Sequence, residues 1–299
     1  YLRFVRGIID TSDLPLNVSR EILQEHQLVD SIKKAATKRM LDSLKDLKTN
    51  SFDKYKEFWN EYGLVLKEGP AEDHENKETI ASLMLFASTF SNNNSVNQGL
   101  DDYVGRMKSD QDKIYFCVAD TYEAAVNSPH IEGLKSKGIE VILLTDRIDE
   151  WLMAGLMEYQ GKELVNAAKE DIEKEDTSKK VSEADQDIIK KIKKHLNEKV
   201  SDVVISSRLT DSASCIVLPK HEPGAQLRKI LEASGQSLGS SNPIFEINIK
   251  HKLVKKLKDM KGKQFNAYVD FLYDYAVIAE GGSPQDPSRY LRQLDKYLS

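Results

Sequence analysis

Apolar side chains in the first part of the chain recur at the spacing of an α-helix. From Val29 to Leu47 they return every three or four residues, which places them on one helix face. Residues 51 to 66 and 76 to 90 follow the same pattern, and an asparagine-rich stretch from Ser91 to Gly99 follows them. Residues 1 to 10 alternate between apolar and polar positions instead. The pattern therefore predicts a leading strand, three helices and a loop.

The next segment has the pattern of a β-α-β unit. Two short apolar runs, Lys113 to Ala119 and Ile139 to Thr145, flank a mostly helical stretch from Tyr122 to Lys137. Strands joined in this way by a helix are parallel, and they imply a helix layer on a sheet. A further helix follows, with apolar residues from Ile148 to Met157. The fold class predicted for this part is α/β.

Residues 169 to 187 interrupt these patterns with dense charge and few apolar positions. Such a composition is typical of a linker, so we place a domain boundary there. The predicted domains are residues 1–175, with the helical segments and the small α/β unit, and residues 183–299. The alternative is a solvated loop inside a single domain.

The second predicted domain has a mixed α/β pattern. A helix carries Ile188 to Leu196, and the apolar runs Val203 to Ile205 and Cys215 to Leu218 are compatible with a hairpin. Two amphipathic helices close the chain, one from Phe265 to Ala279 and one starting at Asp286-Pro287, where aspartate caps and proline takes the first helical position.

Composition excludes several classes of protein. The charge is mildly acidic, with 43 lysines and arginines against 48 aspartates and glutamates, which argues against a dedicated nucleic-acid binder. Apolar runs are far shorter than the roughly 20 residues of a membrane span. The six histidines have no metal-ligand spacing. Cys117 and Cys215 lie in strand-like runs and are expected to be buried, reduced and structural.

Motifs for self-contained catalysis are missing from the sequence. It has neither a glycine-rich phosphate loop nor a nucleophile elbow. Asp120 and Asp146 end the two predicted parallel strands, where α/β enzymes often keep catalytic carboxylates. Helix or turn capping is the simpler interpretation of both. An independent α/β enzyme using these aspartates nevertheless remains an alternative.

Two early segments, Tyr1 to Asp10 and Leu14 to Gln24, resemble the middle-domain signature of the ninety-kilodalton heat-shock chaperone family. The resemblance covers nearly the whole chain and is weakest at residues 66–100 and 169–187. It continues at Tyr103–Lys108, the predicted β-α-β unit, Asp149–Trp151, Ser207–Thr210 and Pro243–Asn248. The chain opens without methionine, which we interpret as a fragment of the middle and C-terminal domains. It ends without the acidic tail of eukaryotic members, which favours the bacterial type.

The resemblance implies an ATP-driven chaperone that acts as a clamp. In this family the middle domain supplies an arginine to the ATP site of a separate domain, and a nearby glutamine supports it. The matching positions are Arg20 and Gln24. A planar guanidinium suits phosphate because it donates two hydrogen bonds at once and stabilises developing charge. ATP and magnesium are expected in the parent protein. The fragment itself is expected to bind no cofactor and to be no enzyme.

The resemblance also implies partners. Partly folded client proteins are expected to contact Trp151 and the apolar face formed by Leu227, Ile230 and Leu231; packing of these side chains into a core is the alternative. Met153 and Met157 are expected in the core. The terminal helices resemble the dimerisation element of the family. The predicted contact residues there are Tyr268, Leu272, Tyr275, Leu291 and Leu294. Further expectations are a cytoplasmic location, cooperation with the seventy-kilodalton chaperone system, and neither nucleic acid nor membrane as a partner. A passive dimeric scaffold remains a third hypothesis.

Overall fold

The computed structural model describes residues 1–10, 27–91, 93–169, 182–219 and 242–298. Its helices are α1 (Gln27–Asn50), α2 (Phe52–Leu66), α3 (Gly69–Glu72), α4 (Lys77–Leu83), α5 (Leu100–Arg106), α6 (Tyr122–Val126), α7 (Glu132–Ser136), α8 (Asp149–Gly155), α9 (Glu183–His195), α10 (Lys252–Lys255), α11 (Gly262–Ala279) and α12 (Pro287–Leu298). Its strands are β1 (Ala87–Ser88), β2 (Lys113–Val118), β3 (Val141–Leu144), β4 (Glu158–Tyr159), β5 (Lys162–Asn166), β6 (Asp202–Ile205), β7 (Ser214–Val217) and β8 (Ile244–Ile247). Mixed sheets with covering helices confirm the α/β fold class.

The first sheet has five strands in the order β1-β3-β2-β5-β4. Strands β2 and β3 run parallel, with Tyr115 opposite Val141, which confirms the predicted β-α-β unit. The stretch between them is broken into α6, a single 3₁₀ turn at Pro129–Ile131 and α7. The β4–β5 hairpin was not predicted. Its left-handed Gln160-Gly161 turn is a local signal that could have shown it.

The second sheet has the order β6-β8-β7, so the predicted hairpin of β6 and β7 is wrong. Strand β8 lies between them, parallel to β6 and antiparallel to β7. Phe245 and Ile247 of this central strand are fully buried. Two consecutive apolar runs suggest a hairpin. The residues that connect them, Ser206 to Ala213, instead contact residues outside this sheet.

Two other expectations need correction near the start of the chain. Residues 1–10 form a turn and irregular segments, not a strand. The predicted helix over residues 76–90 ends at Leu83, and the chain then enters β1. A strand at Ala87–Ser88 gives β3 an antiparallel neighbour, and this pairing replaces the last helical turns.

Helix α2 shows how the helical part is built. Its aromatic residues are spaced three and four apart, so Tyr55 and Trp59 enter the core. Phe58 and Tyr62 contact the ring of Phe4, edge-on and tilted respectively. Gly63 is required because a Cβ there would lie 2.8 Å from the Trp59 ring. The absence of a side chain at Gly63 therefore lets the Trp59 ring lie directly against the backbone of its own helix.

Buried apolar residues form clusters on either side of the charged segment. One large cluster joins α1 to α5 with the first sheet, and a smaller one covers the other face of that sheet. A third joins α9, the second sheet and the terminal helices. Residues 170–181 of the predicted linker lie outside the described residues, so the domain division stays a prediction.

Candidate functional site

Five predicted site residues lie outside the described part of the chain. They are Arg20, Gln24, Leu227, Ile230 and Leu231. Their roles remain predictions that follow from the family resemblance.

The predicted contact residue Trp151 lies on α8 with its side chain in solvent. The side chain is 57% exposed, whereas its neighbour Leu152 is fully buried and Met153 is 7% exposed. Met157 is 66% exposed, so the prediction of a core position is wrong for it and confirmed for Met153. Met157 lies between the end of α8 and β4. Two large, exposed apolar side chains therefore occur close together in the sequence.

A buried ion-pair cluster fixes helix α8. The Nζ of Lys67 donates to Oδ1 of Asp149 at 2.6 Å and to Oδ2 of Asp146 at 2.7 Å. Lys67 and Asp149 are 4% and 1% exposed. Burial raises the pKa of Asp149, and the ammonium of Lys67 opposes that rise. The other Asp149 oxygen accepts from the backbone N–H of Asp146 at 2.9 Å, so this cluster sets the start of the helix that carries Trp151.

The helices that follow the two strand-end aspartates do not begin with an aspartate cap, so the part of our interpretation that concerned helix capping is not confirmed. Thr121 caps α6 through its hydroxyl, and α8 begins after Ile148 without a side-chain cap. A cavity of about 180 Å³ opens beside Asp146. Its described lining contains Tyr122 and Thr145 but neither histidine nor cysteine, and both its carboxylates contact Lys67. The arrangement favours a structural ion pair over acid–base chemistry.

The terminal helices divide the five predicted interface residues into two groups. Tyr268 and Leu272 are fully buried within the subunit and leave no side-chain surface for a partner. Tyr275 and Leu294 are half-buried, and Leu291 is 58% exposed.

Helix α12 is held on α11 by aromatic and charged contacts. The rings of Phe271 and Tyr290 stack at 5.4 Å between centroids. Arg289 donates to Asp274 at 2.9 Å, and the partner carboxylate raises the pKa of the guanidinium. Only part of the apolar surface of α12 is used in this way. Its exposed remainder, together with Ile278 on α11, which is 41% exposed and was not predicted, is available to another surface.

An arginine joins the two halves of the chain in a way that the sequence did not indicate. Arg208 is 4% exposed and donates to the carbonyl oxygens of Ala167 and Lys169 in the first half. Its Nε lies 3.1 Å from Glu246 of β8. No local pattern marks this residue, although it falls in a segment that carried the family resemblance.

A carboxylate completes the same junction from the other side. Glu132 of α7 accepts from the backbone N–H groups of Thr210, Asp211 and Ser212 at 2.8, 2.9 and 3.1 Å. Three consecutive amide donors form an anion-binding turn, and charge-assisted bonds of this kind are stronger than neutral ones. The connection between β6 and β7 is therefore fixed to the first half of the chain.

Both cysteines are free and buried, which confirms the prediction of reduced, structural thiols. Burial raises the pKa of Cys117 to about 12 and that of Cys215 well above its ordinary value. Within the described ranges, no group of three metal-ligating side chains is found. In that same part of the chain, no helix combines the length and the apolar content that a membrane span requires.

Comparisons with known proteins give one consistent result. A family model described as "Hsp90 protein" matches residues 1–299. Proteins named "Chaperone protein HtpG" from Legionella pneumophila (strain Lens) and Colwellia psychrerythraea are 47% and 46% identical to the chain. A third, from Chromobacterium violaceum, is 46% identical. Each alignment covers all of this chain and 49%, 47% and 49% of the relatives respectively, so the chain spans about half of their length.

Proposed function

The chain belongs to the Hsp90 family of chaperones, and from this premise we propose that it binds partly folded proteins and joins two subunits. The observation that carries the client-binding part is Trp151, an exposed indole on a short helix with a rigidly held start. Tryptophan is enriched among the residues that dominate binding energy at protein interfaces. An indole exposed to water is unfavourable in the isolated chain, and a partner that buries it would gain the free energy of removing this apolar surface from water.

The surroundings of Trp151 support the same role. Met157 adds a flexible, polarisable side chain that adapts to partners of different shape. The ion pair of Lys67 with Asp149 keeps α8 in place, so the indole is presented with little loss of backbone entropy on binding. A rigid anchor and an adaptable side chain within the same short stretch of the chain suit partners without a fixed structure.

Suppression of aggregation tests this proposal. The chain is mixed with a chemically unfolded model protein, and light scattering is followed over time. We expect Trp151→Ser to weaken suppression markedly and the further change Met157→Ser to weaken it more. Leu64→Ser is the matched control because Leu64, on α2, is also 57% exposed. Equal losses in the control and in Trp151→Ser, or no loss in either, would contradict the assignment.

Dimer formation is the second part of the proposal, with Tyr275, Leu291 and Leu294 as contact residues. Two amphipathic helices that leave apolar surface exposed can bury it in a symmetric pair, because the same patch on each subunit is self-complementary. Tyr268 and Leu272 would then act indirectly, by holding α11 in its own core.

Light scattering at several concentrations measures the mass in solution. We expect a dimer of two 33.9 kDa chains, and a shift toward monomer in Leu291→Asp. Removing both terminal helices is a poor test, since α11 supplies Phe265, Tyr268 and Leu272 to the core. If the unmutated 299-residue chain is monomeric at micromolar concentration, this part of the proposal is refuted.

The nucleotide-dependent part of the proposal concerns the longer protein. There, Arg20 would contact the γ-phosphate of ATP bound with magnesium to a separate domain, and Gln24 would support that contact. Arg20→Lys should then lower the ATPase rate of the full-length protein, because lysine lacks the planar, bidentate donor. A cytoplasmic location and cooperation with the seventy-kilodalton chaperone system belong to the same proposal.

Two alternatives predict different outcomes. A passive scaffold would form the dimer but would not suppress aggregation. An independent enzyme would depend on Asp120 or Asp146, and the ion pair of Asp146 with Lys67 makes this the weaker alternative.

A further inference from the structure

Positive charge is strongly segregated in the second half of this acidic chain. Residues 250–263 contain seven lysines and one aspartate, although the net charge of the whole chain is -5. Helix α9 adds four lysines between residues 190 and 194. Like charges at this density repel one another, and a concentration of this kind usually marks a surface for an anionic partner.

The fold brings these two basic segments to the same place. The core residues Ile192 and Phe265 join α9 to α11, and Lys258 reaches back to Asp185 at 2.8 Å. Between the two helices lies an open groove of about 470 Å³. We name it the basic groove. It is lined by Lys191, Lys194, His195, Met260, Lys261, Gly262, Phe265 and Asn266.

Part of the charge in the basic groove is not balanced by the chain. Lys191 is paired with Asp187 at 2.6 Å, and His195 lies 3.2 Å from Asp270. Within the described ranges, no ion pair involves Lys194 or Lys261, and both side chains are exposed. These two lysines come from the two elements that line the groove, Lys194 from α9 and Lys261 from the start of α11.

The groove also has an apolar component. Met260 is half-buried and Phe265 is 6% exposed, and both contribute to the lining between the cationic walls. A ligand that fits must therefore place carboxylates against the lysines and an apolar group between them. We propose that the basic groove binds an acidic segment of a partner protein, with glutamate or aspartate flanking an apolar side chain.

The shape of the groove favours a peptide over other polyanions. A bilayer surface or a nucleic-acid duplex would rest on the rims and leave the recessed methionine and phenylalanine uncovered. An extended peptide alternates its side chains, so acidic residues can reach the walls while an apolar one enters the groove. The proposal goes beyond the chaperone function, and either can fail without the other.

Fluorescence anisotropy with the 299-residue chain tests the proposal. The probe is a short labelled peptide of alternating glutamate and leucine, and the reference peptides replace leucine with serine or glutamate with lysine. We expect saturable binding of the first peptide that weakens with added salt, weaker binding of the serine version, and none of the lysine version.

Charge reversal locates the site. The double change Lys194→Glu, Lys261→Glu should lower affinity by about tenfold or more, equivalent to about 1.4 kcal/mol. Lys33→Glu with Lys45→Glu on α1 is the matched control, since both side chains are exposed and the net charge changes equally. Thermal melting of all variants checks that the fold is retained.

Three results would overturn the proposal. The first is equal loss of affinity in the control pair, which would indicate general attraction to positive charge. The second is no difference between the leucine and serine peptides, which would remove the role of the apolar lining. The third is tighter binding of single-stranded nucleic acid or anionic vesicles through the same two lysines.

Discussion

Replacing Lys67 with methionine should destabilise the first half of the chain by several kilocalories per mole. The change keeps the length of the side chain and removes its charge, which leaves Asp149 buried without its cation. Asp149 is 1% exposed and cannot turn to solvent without moving α8. The side chain of Asp146 is 45% exposed, so water solvates its carboxylate when the ion pair with Lys67 is removed.

The cost can be estimated from the charge that remains. At pH 7 the variant either buries an unpaired carboxylate or protonates it. Neutralising an aspartate roughly three pH units above its ordinary pKa costs about 4 kcal/mol, at about 1.4 kcal/mol per unit. Breaking a buried ion pair by removing one partner typically costs about 3 to 5 kcal/mol, which agrees.

The variant should also respond to pH in a defined direction. Burial already raises the pKa of Asp149, and loss of Lys67 would raise it further. The folded variant then binds the Asp149 proton more tightly than the unfolded chain does, so lowering the pH stabilises it. Its deficit relative to the parent should shrink below pH 7 by up to about 1.4 kcal/mol per pH unit.

Tryptophan fluorescence in a urea titration gives the free energy of unfolding for this half alone. The chain has two tryptophans, Trp59 and Trp151, and both lie in the first half. The double variant Lys67→Met, Asp149→Asn should recover most of the lost stability and lose the pH effect. Lys34→Met is the exposed control and should cost under about 1 kcal/mol.

A small deficit in Lys67→Met, comparable to that of Lys34→Met, would refute the reasoning. It would mean that water reaches Asp149 easily. A large deficit that does not change with pH, or that the double variant does not relieve, would attribute the loss to packing instead of charge.

Two other predictions concern packing. Gly133→Ala should destabilise the chain in calorimetry by about 1 to 3 kcal/mol, because its Cβ would lie 2.9 Å from the backbone oxygen of Arg208; Gly105→Ala, with open space around it, should be neutral or stabilising by up to about 1 kcal/mol. Cys117 and Cys215 should react with iodoacetamide at pH 8 only after denaturation, since burial raises both pKa values; rapid alkylation of the native chain would contradict their placement.

Local sequence patterns predicted much of the secondary structure. The apolar period of three to four residues located most of the α1 and α2 helices, and short apolar runs located β2 and β3. The terminal pair α11 and α12 followed from the same period and from the Asp286-Pro287 start. These predictions succeed because helix and strand periodicity is a property of adjacent residues.

Surface and core were harder to predict. Trp151 and Met157 face solvent, whereas Tyr268 and Leu272 are fully buried. The sequence offers all four as apolar residues on helices. A helix by itself does not determine what packs on it. Residues far away in the chain decide which of its faces is buried.

The sequence by itself determined most of the helices, the two parallel strands β2 and β3 and the family, since the helical and strand periods and the signature segments are local. Only the tertiary structure decided how these parts join. Strand β8 separates β6 from β7, Lys67 pairs with Asp149 across 82 positions, and Arg208 binds carbonyl oxygens of the first half. Each of these arrangements lies in a buried environment that many distant residues form together. A short sequence pattern therefore cannot encode it.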